Sequence, residues 1–237
     1  MTELPTLVAV AHGTANPDGL AEIRRLINIV RTKRPGLPIE LCWLERAEPS
    51  LADLLAGLEG PAVVVPLLLS TGYHVKVDIA AVVGDRPQTA IAAQLGPDER
   101  ISKVVLDRLL AGREASDNDV VLFSAGSSDP EAFEQLTEVA GQLQAWLRAA
   151  GPSPRLTVHP RFLEFGEDWL GGLPEDCSAA NYLLAPGHFN DLLRKHGGYP
   201  ELCATYIAEP IGAHPLVAAV IADRYDEAAA RLAGGLS

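Results

Sequence analysis

Cysteine is scarce in this chain. Cys42, Cys177 and Cys203 are odd in number and have no C-x-x-C spacing, so neither a disulfide framework nor a zinc knuckle is indicated, and reduced, partly buried thiols are expected. Positive charge is also in deficit, with 19 Lys and Arg against 31 Asp and Glu and a formal net charge of -12. Long-range repulsion from phosphate would oppose encounter with nucleic acid, which argues against a general nucleic-acid binder. The basic cluster Arg24, Arg25, Arg31, Lys33 and Arg34 has helical spacing in AEIRRLINIVRTKR and reads as a solvated helix face. No long hydrophobic run occurs: the longest, Pro61 to Leu69, is about half of the roughly 20 residues that a membrane-spanning helix needs. The amino-terminal MTELPTLVAVAHG carries Glu3 where a secretory signal has Lys or Arg, and its apolar stretch breaks at His12. Export is not expected, and a cytoplasmic location follows. Aromatics make up 5% of the 237 residues, yet 48% are hydrophobic, enough for one extended core or two lobes.

What is present alternates. Leu7 to Ala11 is a β-favouring run, and Asn16-Pro17-Asp18 supplies a capping residue, a first-turn proline and an acid that suits the helix dipole, predicting a helix near 17–33. Strands are expected at 38–44, 62–69 and 89–95, with helices from Glu48-Pro49-Ser50 to Leu58, from about His74 to Val83, and from Pro97-Asp98-Glu99 to about Leu110. Such βαβαβαβα order, in strands that lack a polar face, predicts a parallel sheet with helices on both faces.

The polar stretch GREASDND at 112–119 marks a boundary, dividing an amino-terminal lobe, 1–113, from a carboxy-terminal lobe, 114–237. The second half echoes the first. VAVAHGTANP at 8–17 lies over VLFSAGSSDP at 121–130, LLSTGYH at 68–74 over LLAPGHF at 183–189, and LGPDERISKVVLDRL at 95–109 over IGAHPLVAAVIADRY at 211–225. Three windows in order at nearly constant offset indicate internal duplication. The expected architecture is α/β, with two similar lobes that each hold a four-stranded parallel sheet covered by helices on both faces.

Ligands of open parallel sheets collect beyond the carboxyl ends of the strands, where chain order reverses. With a 2-1-3-4 order, His12 after the first strand and His74 after the third would project from adjacent loops, and Glu45 after the second strand would border the same crevice. Two imidazoles and a carboxylate form an incomplete ligand set for a divalent transition metal, with positions open to substrate. Imidazole suits iron, cobalt, nickel and zinc alike, so the ligand types do not choose among them. A histidine after a strand also serves as a capping residue, and that reading stands beside the metal one. Gly13 and Gly72 suit either close backbone approach to a ligand or a simple turn.

VAVAHGTANP, WLERAEPSL at 43–51, VVVPLLLSTGYHVKVDI at 63–79, and LGPDE with LDRL together resemble the class II tetrapyrrole chelatases of the CbiX/SirB type, in their long two-lobed form. Members of that family insert iron or cobalt into sirohydrochlorin. The resemblance implies that His12 and His74 bind the metal and act in catalysis, with Glu45 as the acidic partner and Glu48 as its substitute. Gly13, Thr14, Gly72, Tyr73, Lys76 and Arg46 are the expected substrate contacts, and Arg86 is a further cationic candidate for the carboxylates of the ring.

No tightly bound cofactor is expected; the divalent metal is a substrate, Fe2+ or Co2+, with Ni2+ a further candidate. Absence of a His-rich tract favours iron, for sirohaem. The partners expected are the tetrapyrrole and the metal ion, without nucleic acid or membrane, for a monomer or weak homo-oligomer. A metal- or tetrapyrrole-binding protein without catalysis is the alternative reading. The second lobe departs from the pattern: Ala125 stands in the place of His12, and His188 lies one residue before Phe189, which matches His74. That diverged lobe is expected to complete the cleft. His159, His196 and His214 are expected to be structural or solvent-exposed.

Overall fold

The computed structural model describes residues 4–72, 74–84, 86–113, 118–150, 155–163, 172–174, 176–196 and 204–234, with the side chains of His74 and His196 outside the description. The chain divides into two compact units, Met1–Gly96 with Ala213–Ser237, and Pro97–Gly212.

The first unit is built on strands β1 (Thr6–Ala11), β2 (Ile39–Trp43), β3 (Ala62–Pro66) and β4 (Thr89–Ile91), all parallel, in the order β2-β1-β3-β4. Helix α1 (Pro17–Lys33) starts where its sequence predicts. The Asn16 side chain accepts hydrogen bonds from the N–H groups of Asp18 at 2.9 Å and Gly19 at 3.4 Å, and Pro17 needs no partner for the N–H it lacks. Ser50 caps the short helix α2 (Leu51–Gly57) by accepting the Asp53 N–H. After β3 come a π-helical turn (His74–Ile79) and helix α3 (Ala80–Val83).

One sheet face packs Val8, Val10, Cys42, Ala62 and Val64 against Leu51, Leu55, Ile79 and Val83. The other is covered by α1 and by α7 (Pro215–Gly234), whose buried residues include Val217, Val220, Ile221 and Tyr225. Strands buried on both faces explain the unbroken apolar runs. Two strands are shorter than expected. β3 stops at Pro66 because β1 and β2 also end there, at Ala11 and Trp43, and β4, at the sheet edge, pairs only with Ala62 to Val64.

The second unit contains α4 (Glu99–Leu110), β5 (Asp119–Ala125), α5 (Pro130–Ala150), β6 (Val158–Leu163), β7 (Cys177–Tyr182), α6 (His188–His196) and β8 (Ala204–Ile207). Its four strands are parallel in the order β6-β5-β7-β8. The repetition reaches individual hydrogen bonds. Ser127 Oγ accepts the Asp129 N–H at 3.2 Å as Thr14 Oγ1 accepts that of Asn16 at 3.1 Å, and Asp129 caps α5 as Asn16 caps α1. The Leu183 carbonyl takes the Ile211 N–H at 2.9 Å as the Leu68 carbonyl takes that of Leu95 at 2.8 Å.

The compact units do not coincide with the sequence halves 1–113 and 114–237. The apolar face of α4, with Ile101, Val104, Val105 and Leu109 buried, packs with β7 and α5, while α7 packs with α1, β3 and β4. Among the described residues no helix is long and apolar enough to cross a membrane.

Candidate metal centre

Backbone pairing beyond the strand ends assembles the centre. After β1 and β2 stop, the Leu44 N–H still donates to the Ala11 carbonyl at 2.9 Å, and the Glu45 N–H to the His12 carbonyl at 3.0 Å. These two bonds bring residues 12 and 45 side by side. His12 Nδ1 lies 3.4 Å from Glu45 Oε1 and 3.3 Å from the Gly13 carbonyl, and each of the two side chains is 44% exposed. The same Glu45 Oε1 accepts a hydrogen bond from Arg46 Nε at 3.1 Å. Arg46 adopts φ +61°, in the left-handed region where few residues other than glycine settle. The carboxylate is thus held between an imidazole and a guanidinium, open to solvent on its remaining side.

Gly13 has a steric task here. Its φ is +97°, and a Cβ added at this position would lie 1.8 Å from the Glu45 carbonyl oxygen. Only glycine lets the chain leave β1 this close to the segment after β2. Thr14 is engaged in the turn before α1 through its bond to the Asn16 N–H. The Gly72 carbonyl accepts the N–H groups of Val75 at 3.1 Å and Lys76 at 2.9 Å, which starts the π-turn.

His74 is the first residue of that turn, reached from the end of β3, the immediate neighbour of β1. The position of its imidazole, and Tyr73 altogether, lie outside the described residues. Lys76 is exposed on the turn. Among the described residues no group of three or more His, Cys, Asp or Glu side chains gathers as a metal site. Of the two candidate carboxylates, Glu45 contacts His12, whereas Glu48 Oε2 accepts the Ser50 N–H at 3.1 Å and shapes the approach to α2.

An open recess of about 330 Å³ adjoins Glu45, walled by Leu44, Ser50, Leu51, Asp78 and Val82 among others. Asp78 was not singled out from the sequence. It lies within the VKVDI run that follows His74, and the register of a π-turn cannot be read from apolar periodicity.

Several other candidates have structural work. Arg86 donates to the carbonyls of Leu55, at 2.7 Å, and Leu58, closing the carboxyl end of α2, so its charge is committed to a helix end and not offered to a ligand. In the basic cluster, Arg34 forms a bidentate pair with Asp226, Arg24 lies over the Trp43 ring, and Arg31 Nη2 donates to the Ile39 carbonyl. Cys42 and Cys177 are buried, and burial pushes the Cys42 thiol up to about 12, so it stays protonated at neutral pH. Cys203 lies outside the described residues.

At the corresponding end of the second sheet an alanine stands where the first has His12. Ala125 ends β5 and packs against a core of Val121, Phe123, Leu163 and Leu193. The Gly187 carbonyl takes the Asp191 N–H as the Gly72 carbonyl takes that of Lys76, so Phe189 corresponds to His74 and His188 to Tyr73. The His188 ring meets Phe189 edge-on, with centroids 5.4 Å apart. His159 Nε2 pairs with Asp119 Oδ2 at 2.8 Å near the amino ends of β5 and β6, and His214 Nδ1 accepts the Leu216 N–H as α7 begins. His196 closes α6.

A parallel sheet of order 2-1-3-4, with a histidine and a carboxylate paired beyond the carboxyl ends of its first two strands, is shared with the chelatase-like α/β proteins. Residues 6–111 match the CbiX family model. The chain is 30% identical over 221 residues to the sirohydrochlorin ferrochelatase of Bacillus subtilis (strain 168), covering 82% of this chain and 80% of the relative. It is 25% identical over 126 residues to the sirohydrochlorin cobaltochelatase of Methanosarcina acetivorans, covering 46% of this chain and 97% of the relative. Its fold is similar to that of SirB from Bacillus subtilis with Fe3+, at a TM-score of 0.75, 26% identity and 98% coverage of both chains. The chain belongs to the CbiX/SirB-type family of sirohydrochlorin chelatases.

Proposed function

We propose that this protein inserts a divalent metal ion into sirohydrochlorin, with His12 and His74 holding the metal and Glu45 assisting beside them. The observation that carries the reading is the His12–Glu45 pair at the tips of β1 and β2, next to the β3 tip from which the chain runs to His74. Insertion requires loss of two pyrrole N–H protons and exchange of the metal's solvent ligands for ring nitrogens. A neutral imidazole can accept a proton, and a carboxylate can receive one or offset the charge of the arriving cation. Arg46 and Lys76, both exposed, are suited to the carboxylates of the ring, and Gly13, Thr14, Gly72 and Tyr73 to lining its approach. The chemistry belongs to the 1–113 lobe; the 114–237 lobe, with Ala125 and Phe189 in the two key places, does not bind the metal.

Iron is the metal this reading favours. The Bacillus subtilis ferrochelatase matches across most of this chain, whereas the archaeal cobaltochelatase spans less than half of it. The enzyme is assigned to the cytoplasm, as a monomer or weak homo-oligomer.

The test is the spectral change of metal-free sirohydrochlorin under anaerobic conditions with Fe2+, Co2+ and Ni2+ in parallel. The protein is expected to accelerate insertion, fastest with Fe2+. His12→Ala and His74→Ala are each expected to lower the rate by about tenfold or more. Unchanged rates in both variants would refute the assignment, and tight binding of metal or ring without acceleration would make the protein a carrier.

A further inference from the structure

The loop that follows β2 keeps one residue beside the metal centre in a costly backbone form. Arg46 adopts φ +61°, a conformation that glycine and asparagine take readily and that an arginine holds only where its surroundings demand it. Such positions cluster at active sites. The Arg46 side chain is 64% exposed, so packing against a core is not what demands the turn.

What the turn accompanies is a bond between neighbours. Adjacent side chains of an extended segment point to opposite faces; here the chain turns at residue 46, and Arg46 Nε reaches back to donate to Glu45 Oε1 at 3.1 Å. Glu48, the other carboxylate of the loop, is engaged with the Ser50 N–H. The backbone of Glu45 is tied to the His12 carbonyl through its N–H, and His12 Nδ1 lies 3.4 Å from the same Oε1 that Arg46 holds. Both contacts fall on one oxygen. Among the described residues no donor meets Oε2.

We propose that Arg46 is a positioning residue for insertion: it grips Oε1 of Glu45 so that Oε2 is the oxygen presented to the arriving metal ion or pyrrole proton. This rests on the reading of Glu45 as the assisting carboxylate and deepens it, because it gives Arg46 an effect on the rate that is separate from any contact with the carboxylates of the ring. The left-handed backbone aims the guanidinium, and the guanidinium keeps a half-exposed carboxylate in one orientation where it would otherwise exchange among several. A contact with the ring alone is read in KM, whereas the orientation of Glu45 is read in kcat.

The test is a double-mutant cycle on the steady-state insertion of Fe2+ into metal-free sirohydrochlorin under anaerobic conditions, using the parent, Arg46→Gly, Glu45→Gln and the double variant. Glycine accepts φ +61° without a steric cost, so Arg46→Gly removes the guanidinium and leaves the turn. It is expected to lower kcat by about fivefold or more in the parent background. In the Glu45→Gln background the same change is expected to alter kcat by less than about twofold, because the group that Arg46 positions is no longer a carboxylate. If Arg46→Gly fails to fold, Arg46→Asn takes its place in the same cycle, since asparagine also tolerates the left-handed region.

A rise in KM beside this coupled fall in kcat supports the proposal as well, since the guanidinium has further N–H groups for the ring. An equal loss of kcat in both backgrounds overturns it, because Arg46 then acts without Glu45. Unchanged kcat, with or without a raised KM, also overturns it and leaves the role of Glu45 intact. Parental kcat in Glu45→Gln alone is a different failure: it removes the carboxylate from the reaction, and the positioning role falls with it.

Discussion

At the scale of single residues, backbone geometry fixes how closely residues 12, 13 and 45 approach. Gly13→Ala forces a Cβ against the Glu45 carbonyl at φ +97°. It is expected to cost about 1–3 kcal/mol, read as a lower urea midpoint, and to lower activity as well because residues 12 and 45 must part. Glu45→Gln separates chemistry from stability. The half-exposed pair with His12 contributes at most about 1 kcal/mol to folding, so the melting point should hardly move, while insertion is expected to slow by about tenfold. A change of similar size in both would make Glu45 a structural residue. Cys42 gives a third expectation. An exposed thiol ionises near 9.0, whereas burial holds Cys42 protonated up to about 12. Its contribution to stability is therefore complete below about pH 9 and is lost as pH rises towards 12, because the unfolded chain releases its proton first. Denaturant midpoints between pH 8 and 11 should fall more steeply in the parent than in Cys42→Ala.

At the scale of elements, most of the first half was legible because local signals agreed. Asn16 and Pro17 start α1, Ser50 starts α2, Asp98 starts α4, and apolar runs mark the strands. What could not be read was set by pairing. β3 ends about level with β1, and β4 stops at Ile91 opposite Val64, although LLL and AAQL follow them. The His12–Glu45 contact followed from strand order, since both leave adjacent strand tips. The role of Arg86 did not follow, because a surface arginine carries no sequence mark of the carbonyls it will meet. Arg86→Ala leaves the ends of α2 at Leu55 and Leu58 without those donors. It is expected to destabilise the protein by about 1–2 kcal/mol, measured by denaturant unfolding, and to leave the Michaelis constant for sirohydrochlorin unchanged. A raised constant with unaltered stability would return Arg86 to the substrate.

At the scale of the whole molecule, duplication was legible and the assignment of helices to sheets was not. The windows at 95–109 and 211–225 match each other so well because α4 and α7 are the same element in two copies. Their periodicity shows which face is buried but not which sheet receives it, and each lies in the unit that holds the other copy's preceding strands. The first unit is accordingly incomplete without the last segment of the chain. α7 brings Val217, Val220, Ile221 and Tyr225, all buried, the Tyr225 hydroxyl donates to the Pro5 carbonyl at 2.7 Å, and Asp226 holds Arg34. Burial of four large apolar side chains at about 1.5–3 kcal/mol each is comparable with the roughly 5–15 kcal/mol by which a whole domain is stable. Truncation before Ala213 is therefore expected to abolish cooperative folding of the unit that carries His12 and Glu45, although every candidate site residue remains in the chain. Hydrogen exchange on the truncated protein checks this, since the amides of β1 and β3 should lose protection. Persistent protection there would mean that the first sheet holds its core without α7.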